Sequence, residues 1–326
     1  MSENKDPWTE NSQTPREEDA NWERKALRDI ALEGVKERRV ARRWGIFFKF
    51  LGLGYLFLIL VIASDSLPGR STDRGPHTAL VDIQGVISEG AAANADRVVG
   101  GLRAAFKHPN TQGVIIRINS PGGSPVQAGY INDAVARLKA EYPDTPLYAV
   151  IADIGASGGY YVAVAADEIF ADKASIVGSI GVRLDSFGFV DAMERLGIER
   201  RLFTAGENKA ILDPFLPLAD TDRDHMQNLL DAVHQQFIDT VVTSRGERLV
   251  TNGPELFSGL VWTGEQSLDL GLIDGLGSSS HVAREIIGAE RIVNFTQRQD
   301  FFTRLTEGLG VVLLRLFQSQ EFSGLR

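Results

Sequence analysis

Apolar and polar positions along this chain follow two different periods. From residue 78 to about residue 294, short apolar runs alternate with stretches whose apolar side chains recur every three or four positions. The runs at 80–87, 113–118 and 147–151 predict strands. The patterns at 98–106 and 125–138, and the short Ala-rich run Val162 to Ala166, predict helices between or after them. Strand and helix in regular alternation define an α/β domain with helices packed on largely parallel strands. A further strand is expected at 200–204. A long amphipathic helix is expected over 221–245, with Met226, Leu229, Leu230, Val233, Phe237 and Val241 on one stripe, a pattern that fits core or subunit interface.

The joints of this pattern carry glycine and serine. The run Ala156-Ser157-Gly158-Gly159-Tyr160-Tyr161 puts a lone serine where a helix begins, so that its hydroxyl can face a substrate while the next amide, Gly158, faces a developing oxyanion. An earlier turn, Asn119-Ser120-Pro121-Gly122-Gly123-Ser124, follows the strand at 113–118 and has the small residues that let a backbone approach a ligand closely. Either turn alone would pass as an ordinary strand-to-helix joint. Two serine-bearing, glycine-paired turns in one domain point to a nucleophile and an oxyanion hole, with Gly122 or Gly123 as the second donor.

A serine hydroxyl needs a base to attack at neutral pH. The five histidines sit in poor contexts: His77 in a polar stretch, His108 before Pro109, His225 and His234 inside the amphipathic helix, and His281 at a helix start. All five read as surface or packing residues, which disfavours a Ser-His-Asp triad. Lysine is the alternative. Beyond Lys173 the chain has thirteen arginines and a single lysine, Lys209, and arginine stays protonated and cannot act as a base. To serve, Lys209 must be neutral, which requires burial and the absence of a carboxylate partner such as Glu207 or Asp213.

Four motifs, Ser-Pro-Gly-Gly at 120–123, Ala-Ser-Gly-Gly-Tyr-Tyr at 156–161, Gly-Ser-Ile-Gly-Val at 178–182 and Gly-Glu-Asn-Lys at 206–209, resemble in order and spacing the short form of signal peptide peptidase A, an S49-family serine peptidase. The likeness runs from about residue 79 to residue 277. It implies Ser157 as nucleophile, Lys209 as general base and Ser179 as the residue that orients the lysine, with Gly158 and the Gly122-Gly123 turn as the oxyanion hole. It also implies a crotonase/ClpP-like β-superhelix and no cofactor. The expected substrates are hydrophobic peptides, signal-peptide remnants among them. The implied assembly is a ring-like homo-oligomer in which Ser157 and Lys209 come from neighbouring protomers. The family's lysine segment often continues with an acidic residue; here Ala210 follows.

Composition adds a membrane to this picture. Residues 44–63 form a run of twenty with one charge, Lys49, preceded by Lys36, Arg38, Arg39, Arg42 and Arg43; such a run would span about 30 Å of hydrocarbon. It reads as a single span with residues 1–43 cytoplasmic and the remainder periplasmic, on the inner membrane. A cleavable signal peptide is the rival, but the preceding region is too long for one. The expected organisation is a cytoplasmic segment at 1–43, disordered to about residue 20 and then a charged helix, an anchor at 44–64 and a linker at 65–77. The peptidase domain at 78–297 and an amphipathic tail at 298–326 complete it. A net charge of −9 argues against nucleic-acid partners, and the absence of cysteine excludes disulfides and thiolate metal sites. No metal-ligand spacing is present. The competing functions are a crotonase-type acyl-CoA enzyme and a catalytically silent membrane scaffold.

Overall fold

The computed structural model describes residues 16–65, 75–250 and 255–297. The chain divides into two compact units, Met1–Arg70 and Ser71–Arg326.

The described part of the first unit is one helix, α1 (Arg16–Asp65). It starts before the expected charged helix and continues through the apolar run without a break. Its described apolar side chains, Phe47, Phe48, Phe50, Leu53 and Phe57 among them, are exposed all round the helix. Among the described residues no helix is long and apolar enough to cross a membrane. The side chains at 60–65, where the expected span ends, lie outside the described residues, as do 1–15, most of the linker and the tail at 298–326.

The second unit is built on an eight-stranded sheet. Its strands are β1 (His77–Gln84), β2 (Thr111–Ser120), β3 (Leu147–Ala156), β4 (Glu168–Ala171), β5 (Ile176–Gly178), β6 (Val261–Thr263), β7 (Gly275–Leu276) and β8 (Ile292–Asn294). The main path runs β6-β5-β3-β2-β1-β8, with β4 beside β3 and β7 beside β4. Pairings are parallel except β5 with β6. Helices α2 (Ala95–Lys107) and α3 (Pro125–Glu141) make the crossovers between the first three strands. The mixed α/β sheet expected from the alternating pattern is therefore present.

Helices α2 and α3 start where the sequence provides a cap. Asn94 accepts from the Arg97 amide at 3.0 Å, and Ser124 accepts from the Gln127 amide at 3.4 Å with Pro125 in the first turn. The central strands are apolar on both faces because both are covered. Ala79, Val81, Ile83, Val114, Ile116, Ile118, Ala149 and Ile151 belong to the main core. Leu80, Ile115 and Val150 point the other way, into a smaller cluster with Phe170 and Val282.

Strand β3 forks, and the fork builds the site. Residues Tyr148–Ile151 pair with β4, whereas Ile154–Ala156 pair with β5. Between them the chain turns at Asp172–Ser175, where Asp172 accepts from the Ala174 amide at 2.9 Å. The end of β5 is thereby laid beside the end of β3, where the short helix α4 (Gly158–Ala163) begins.

The segment after β5 departs from the expected pattern. Helix α5 (Val190–Leu196) has no buried residue, and Phe187, Leu196 and Phe203 are exposed, Phe203 at 93%. Residues 200–204 form no strand. Among the described residues no strand lies alongside them, and an isolated extended segment has nothing to complete its hydrogen-bond ladder. The first strand also differs: it begins at His77 and ends at Gln84, because Gly85 turns the chain at φ +79°.

The long helix α6 (Asp220–Arg245) spans the expected residues, but of its expected apolar stripe only Phe237 and Val241 are buried, and Leu229 is exposed. Its C-terminal Arg245 is 2% exposed and grips Asp274 with two bonds of 2.7 and 2.9 Å, donating a third to the Gly271 carbonyl. Asp274 also accepts from the Ile169 amide at 2.7 Å. Burial alone would raise its carboxyl, but the bonds from Arg245 and Ile169 and the charges of Arg245 and Arg248 outweigh it and hold the group below the usual range. Helix α7 (Gly264–Asp269) starts in a Thr263–Gln266 capping box.

Candidate active site

Ser157 occupies the junction of β3 and α4 at φ +52° and ψ −124°, a sparsely populated conformation that costs an L-residue about 1–3 kcal/mol. Three neighbours hold it there. Its amide donates to the Gly178 carbonyl at 2.8 Å, its carbonyl accepts from the Tyr161 amide at 2.9 Å, and the Gly122 backbone packs against its side chain. A Cβ on Gly122 would come within 2.7 Å of the Ser157 Cβ and 2.8 Å of the Gly158 nitrogen. The Ser157 side chain caps nothing and is half-buried, so the hydroxyl remains available at the mouth of the turn.

The Gly122-Gly123 turn is tied to the chain beyond β1. The Ile87 amide donates to the Gly122 carbonyl at 2.9 Å and the Ser124 amide to the Ile87 carbonyl at 2.8 Å. Both glycines have positive φ, +103° and +150°. Their amides differ in use. The Gly122 amide donates to the buried Ser120 Oγ at 3.1 Å, whereas the Gly123 and Gly158 amides have no partner among the described residues. The two free amides are neighbours: a Cβ on Gly158 would lie 3.3 Å from the Gly123 nitrogen. Of the two glycines left open by the sequence, the geometry offers Gly123 as the donor and removes Gly122.

Ser179 sits in a second strained turn at φ +51°. Its amide donates to the Leu260 carbonyl at 2.7 Å, and it follows directly on Gly178, whose carbonyl holds Ser157. The structure therefore brings Ser157, Gly158, Gly122, Gly123 and Ser179 into one neighbourhood.

Lys209 is not joined to that neighbourhood. It lies in the turns between α5 and α6, is exposed, and makes no hydrogen bond or ion pair to Ser157 or Ser179. One of its two requirements is met. Neither Glu207 nor Asp213 pairs with it; the Phe215 amide and Arg200 occupy Asp213 and lower its carboxyl. The other requirement, burial, is not met within a single chain. A small cleft lined by Glu207, Ile211, Leu216 and Asp222 lies in this loop, away from Ser157.

No histidine contacts Ser157 among the described residues. His77 is fully buried at the start of β1, stacked on Phe295 and edge-on to His108. His234 approaches the site indirectly, with Nε2 3.1 Å from the Ile180 carbonyl. Ser120, Ile87 and His234 were not singled out by the sequence. Ser120 and His234 bond backbone groups of Gly122 and Ile180 with their side chains, and Ile87 uses its own backbone, pairings that residue type does not signal.

This arrangement defines a class: a half-buried serine on a strained turn between a parallel strand and a helix, with unpaired glycine amides beside it, the geometry that serine hydrolases use. The chain belongs to peptidase family S49, which classes it with the serine peptidases and bears out the resemblance seen in its motifs. Residues 139–291 match Peptidase family S49. Putative protease slr0021 of Synechocystis is 30% identical over 200 residues, covering 61% of this chain and 69% of that protein. The Putative signal peptide peptidase SppA of Enterococcus faecium is 25% identical over 78% of this chain and 83% of its own. A 213-residue stretch, 65% of this chain, is 43% identical to a protein of Brucella melitensis named Na(+)/H(+) antiporter NhaA. The chain spans 29% of the length of that relative, and the transport in its name is not carried over.

Proposed function

We propose that this chain is a membrane-anchored serine endopeptidase that degrades hydrophobic peptides, cleaved signal peptides among them, with a Ser157–Lys209 dyad. The observation that carries the reading is the Ser157 turn: a nucleophile held at positive φ, with the unpaired Gly158 and Gly123 amides beside it. Lys209 removes the Ser157 proton as Oγ attacks the scissile carbonyl carbon, and the two amides bind the oxyanion that forms. The ammonium then gives that proton to the leaving amine. Water, deprotonated by the same lysine, attacks the acyl-enzyme carbonyl; the ester bond to Ser157 Oγ breaks, the ammonium returns its proton to Oγ, and the carboxylic acid product leaves. Ser179 accepts from and orients the lysine.

Because Lys209 is exposed in the single chain, the burial it needs comes in this reading from a neighbouring copy in a ring-like homo-oligomer. The exposed Phe187, Leu196 and Phe203 of the lysine-bearing segment suit such a contact. The crotonase/ClpP-like superhelix belongs to the same reading. So does the anchor at 44–64, supported by the apolar run and its basic flank, with the catalytic domain periplasmic.

The test is hydrolysis of a hydrophobic fluorogenic peptide by the full chain and by Ser157→Ala. Loss of turnover in the folded variant supports the reading. Turnover that survives Ser157→Ala, or cleavage of an acyl-CoA thioester in place of the peptide, overturns it.

A further inference from the structure

Helix α6 joins the two turns that hold the site. Its residues His234, Phe237, Thr240 and Ser244 follow one another at helical spacing along one stripe. Phe237 packs on the Tyr161 ring at 5.0 Å between centroids, and the Tyr161 hydroxyl bonds Thr240 Oγ1 at 3.1 Å, the threonine hydrogen going to the Gln236 carbonyl at 2.9 Å. Ser244 donates to the Val164 carbonyl at the end of α4. One turn earlier on the same stripe, His234 Nε2 meets the Ile180 carbonyl at 3.1 Å. A carbonyl oxygen can only accept, so this ring nitrogen carries the hydrogen.

The bond matters because of where Ile180 lies. Three successive residues of this turn each have a separate tie: the Gly178 carbonyl to the Ser157 amide, the Ser179 amide to the Leu260 carbonyl, and the Ile180 carbonyl to His234. Ser179 is held at φ +51°, and a serine keeps such a conformation only where its surroundings over-determine it. The Leu260 and Ser157 ties both lie on the sheet side. The His234 tie comes from helix α6 and fixes the peptide between Ile180 and Gly181, one residue beyond Ser179.

We infer that His234 is a positioning residue: its Nε2–H, through the Ile180 carbonyl, sets the Ser179 turn and thereby the Ser157 amide. It touches no substrate. The bond needs a donor at that point and no charge, because the ring donates from Nε2 in both its neutral and its cationic form. The inference rests on the peptidase reading.

The test compares the full chain with His234→Gln, which keeps an N–H donor on a flexible arm, and His234→Met, nearly the same shape without one; His234→Phe keeps a ring. kcat and KM on one fluorogenic hydrophobic peptide are measured per folded molecule, with folding followed by circular dichroism. The expected result is kcat lower by about tenfold in the Met and Phe variants, KM within about twofold, and Gln restoring most of kcat. Equal kcat in Gln and Met variants, or a lower melting temperature with kcat unchanged, overturns the inference. Should the Phe variant fail to fold, the Gln and Met pair decides. A wild type inert toward peptides, or an active Ser157→Ala, overturns the peptidase reading and this inference together; an active wild type matched by His234→Met overturns the inference alone.

Discussion

Replacing Gly122 with alanine puts one methyl group against Ser157, the proposed nucleophile. The new Cβ would lie 2.7 Å from the Ser157 Cβ, 2.8 Å from the Gly158 nitrogen and 2.9 Å from the Ala156 carbonyl oxygen. None of these can swing aside, since each belongs to backbone or sits directly on it. The backbone there is also at φ +103°, outside the regions open to alanine. The residue must relax by several tenths of an ångström, and the turn carrying Ser157 must move with it. Strain of this kind costs about 1–3 kcal/mol of stability, while a misplacement approaching 1 Å in the reacting group costs about a hundredfold in rate. We therefore expect Gly122→Ala to remain folded with a lowered denaturation midpoint and to lose at least tenfold in kcat on a fluorogenic peptide. Gly129→Ala, within α3 and with open space around its Cβ, is the control and should gain about 0.5–1 kcal/mol with kcat intact. A Gly122→Ala enzyme within threefold of wild-type kcat would refute the reasoning.

Other substitutions test the supports of the site. Asp274→Asn leaves the buried Arg245 guanidinium without its counter-charge and should cost about 3–5 kcal/mol in urea unfolding; a cost below 1 kcal/mol would show that the pair is not needed there. Ser120→Ala leaves the Gly122 amide without its partner and should cost about 1–3 kcal/mol by the same measurement. Stability should also fall on acidification in two stages. His108 is lowered by burial and by the neighbouring His77, so its contribution is complete above the ordinary histidine value of about 6.5 and is lost as pH falls below it. The lowered Asp274 and Asp213 carboxyls contribute fully above about pH 4, and that part is lost as pH falls through their folded values. A pH-independent melting temperature between pH 8 and pH 3 would contradict both.

The parts legible in the sequence were those written in side-chain type and spacing. The strands at 113–118 and 147–151 and the helices at 125–138 and 221–245 announce themselves because burial on one face or two forces an apolar period. The Gly122 turn was legible because glycine tolerates its positive φ, and the Ser157 turn because the glycines after the serine let it approach the Gly122 turn and the Ser120 carbonyl closely. The strand expected at 200–204 misled for the same reason in reverse: its Leu202 and Phe203 have strand-like character, but pairing depends on a neighbour that the local sequence cannot specify. The amide donors could not be told apart either. Gly122 and Gly123 are identical as residues, and only the Ser120 hydroxyl distinguishes them. The His234 bond to Ile180 joins positions 54 apart, a separation that no helical pattern reveals. Lys209 was singled out by elimination among the basic residues, and the single chain leaves it exposed.

That exposure makes the shared dyad the central claim. The most direct measurement is peptide hydrolysis by Ser157→Ala, by Lys209→Ala, and by the two inactive variants mixed and allowed to exchange subunits, each at matched folding and assembly state. Both variants should be inactive alone, and the mixture should recover part of the wild-type rate, because some neighbouring pairs then supply an intact serine and an intact lysine. Turnover by either variant alone, or no recovery in a mixture shown to have exchanged subunits, would contradict the account.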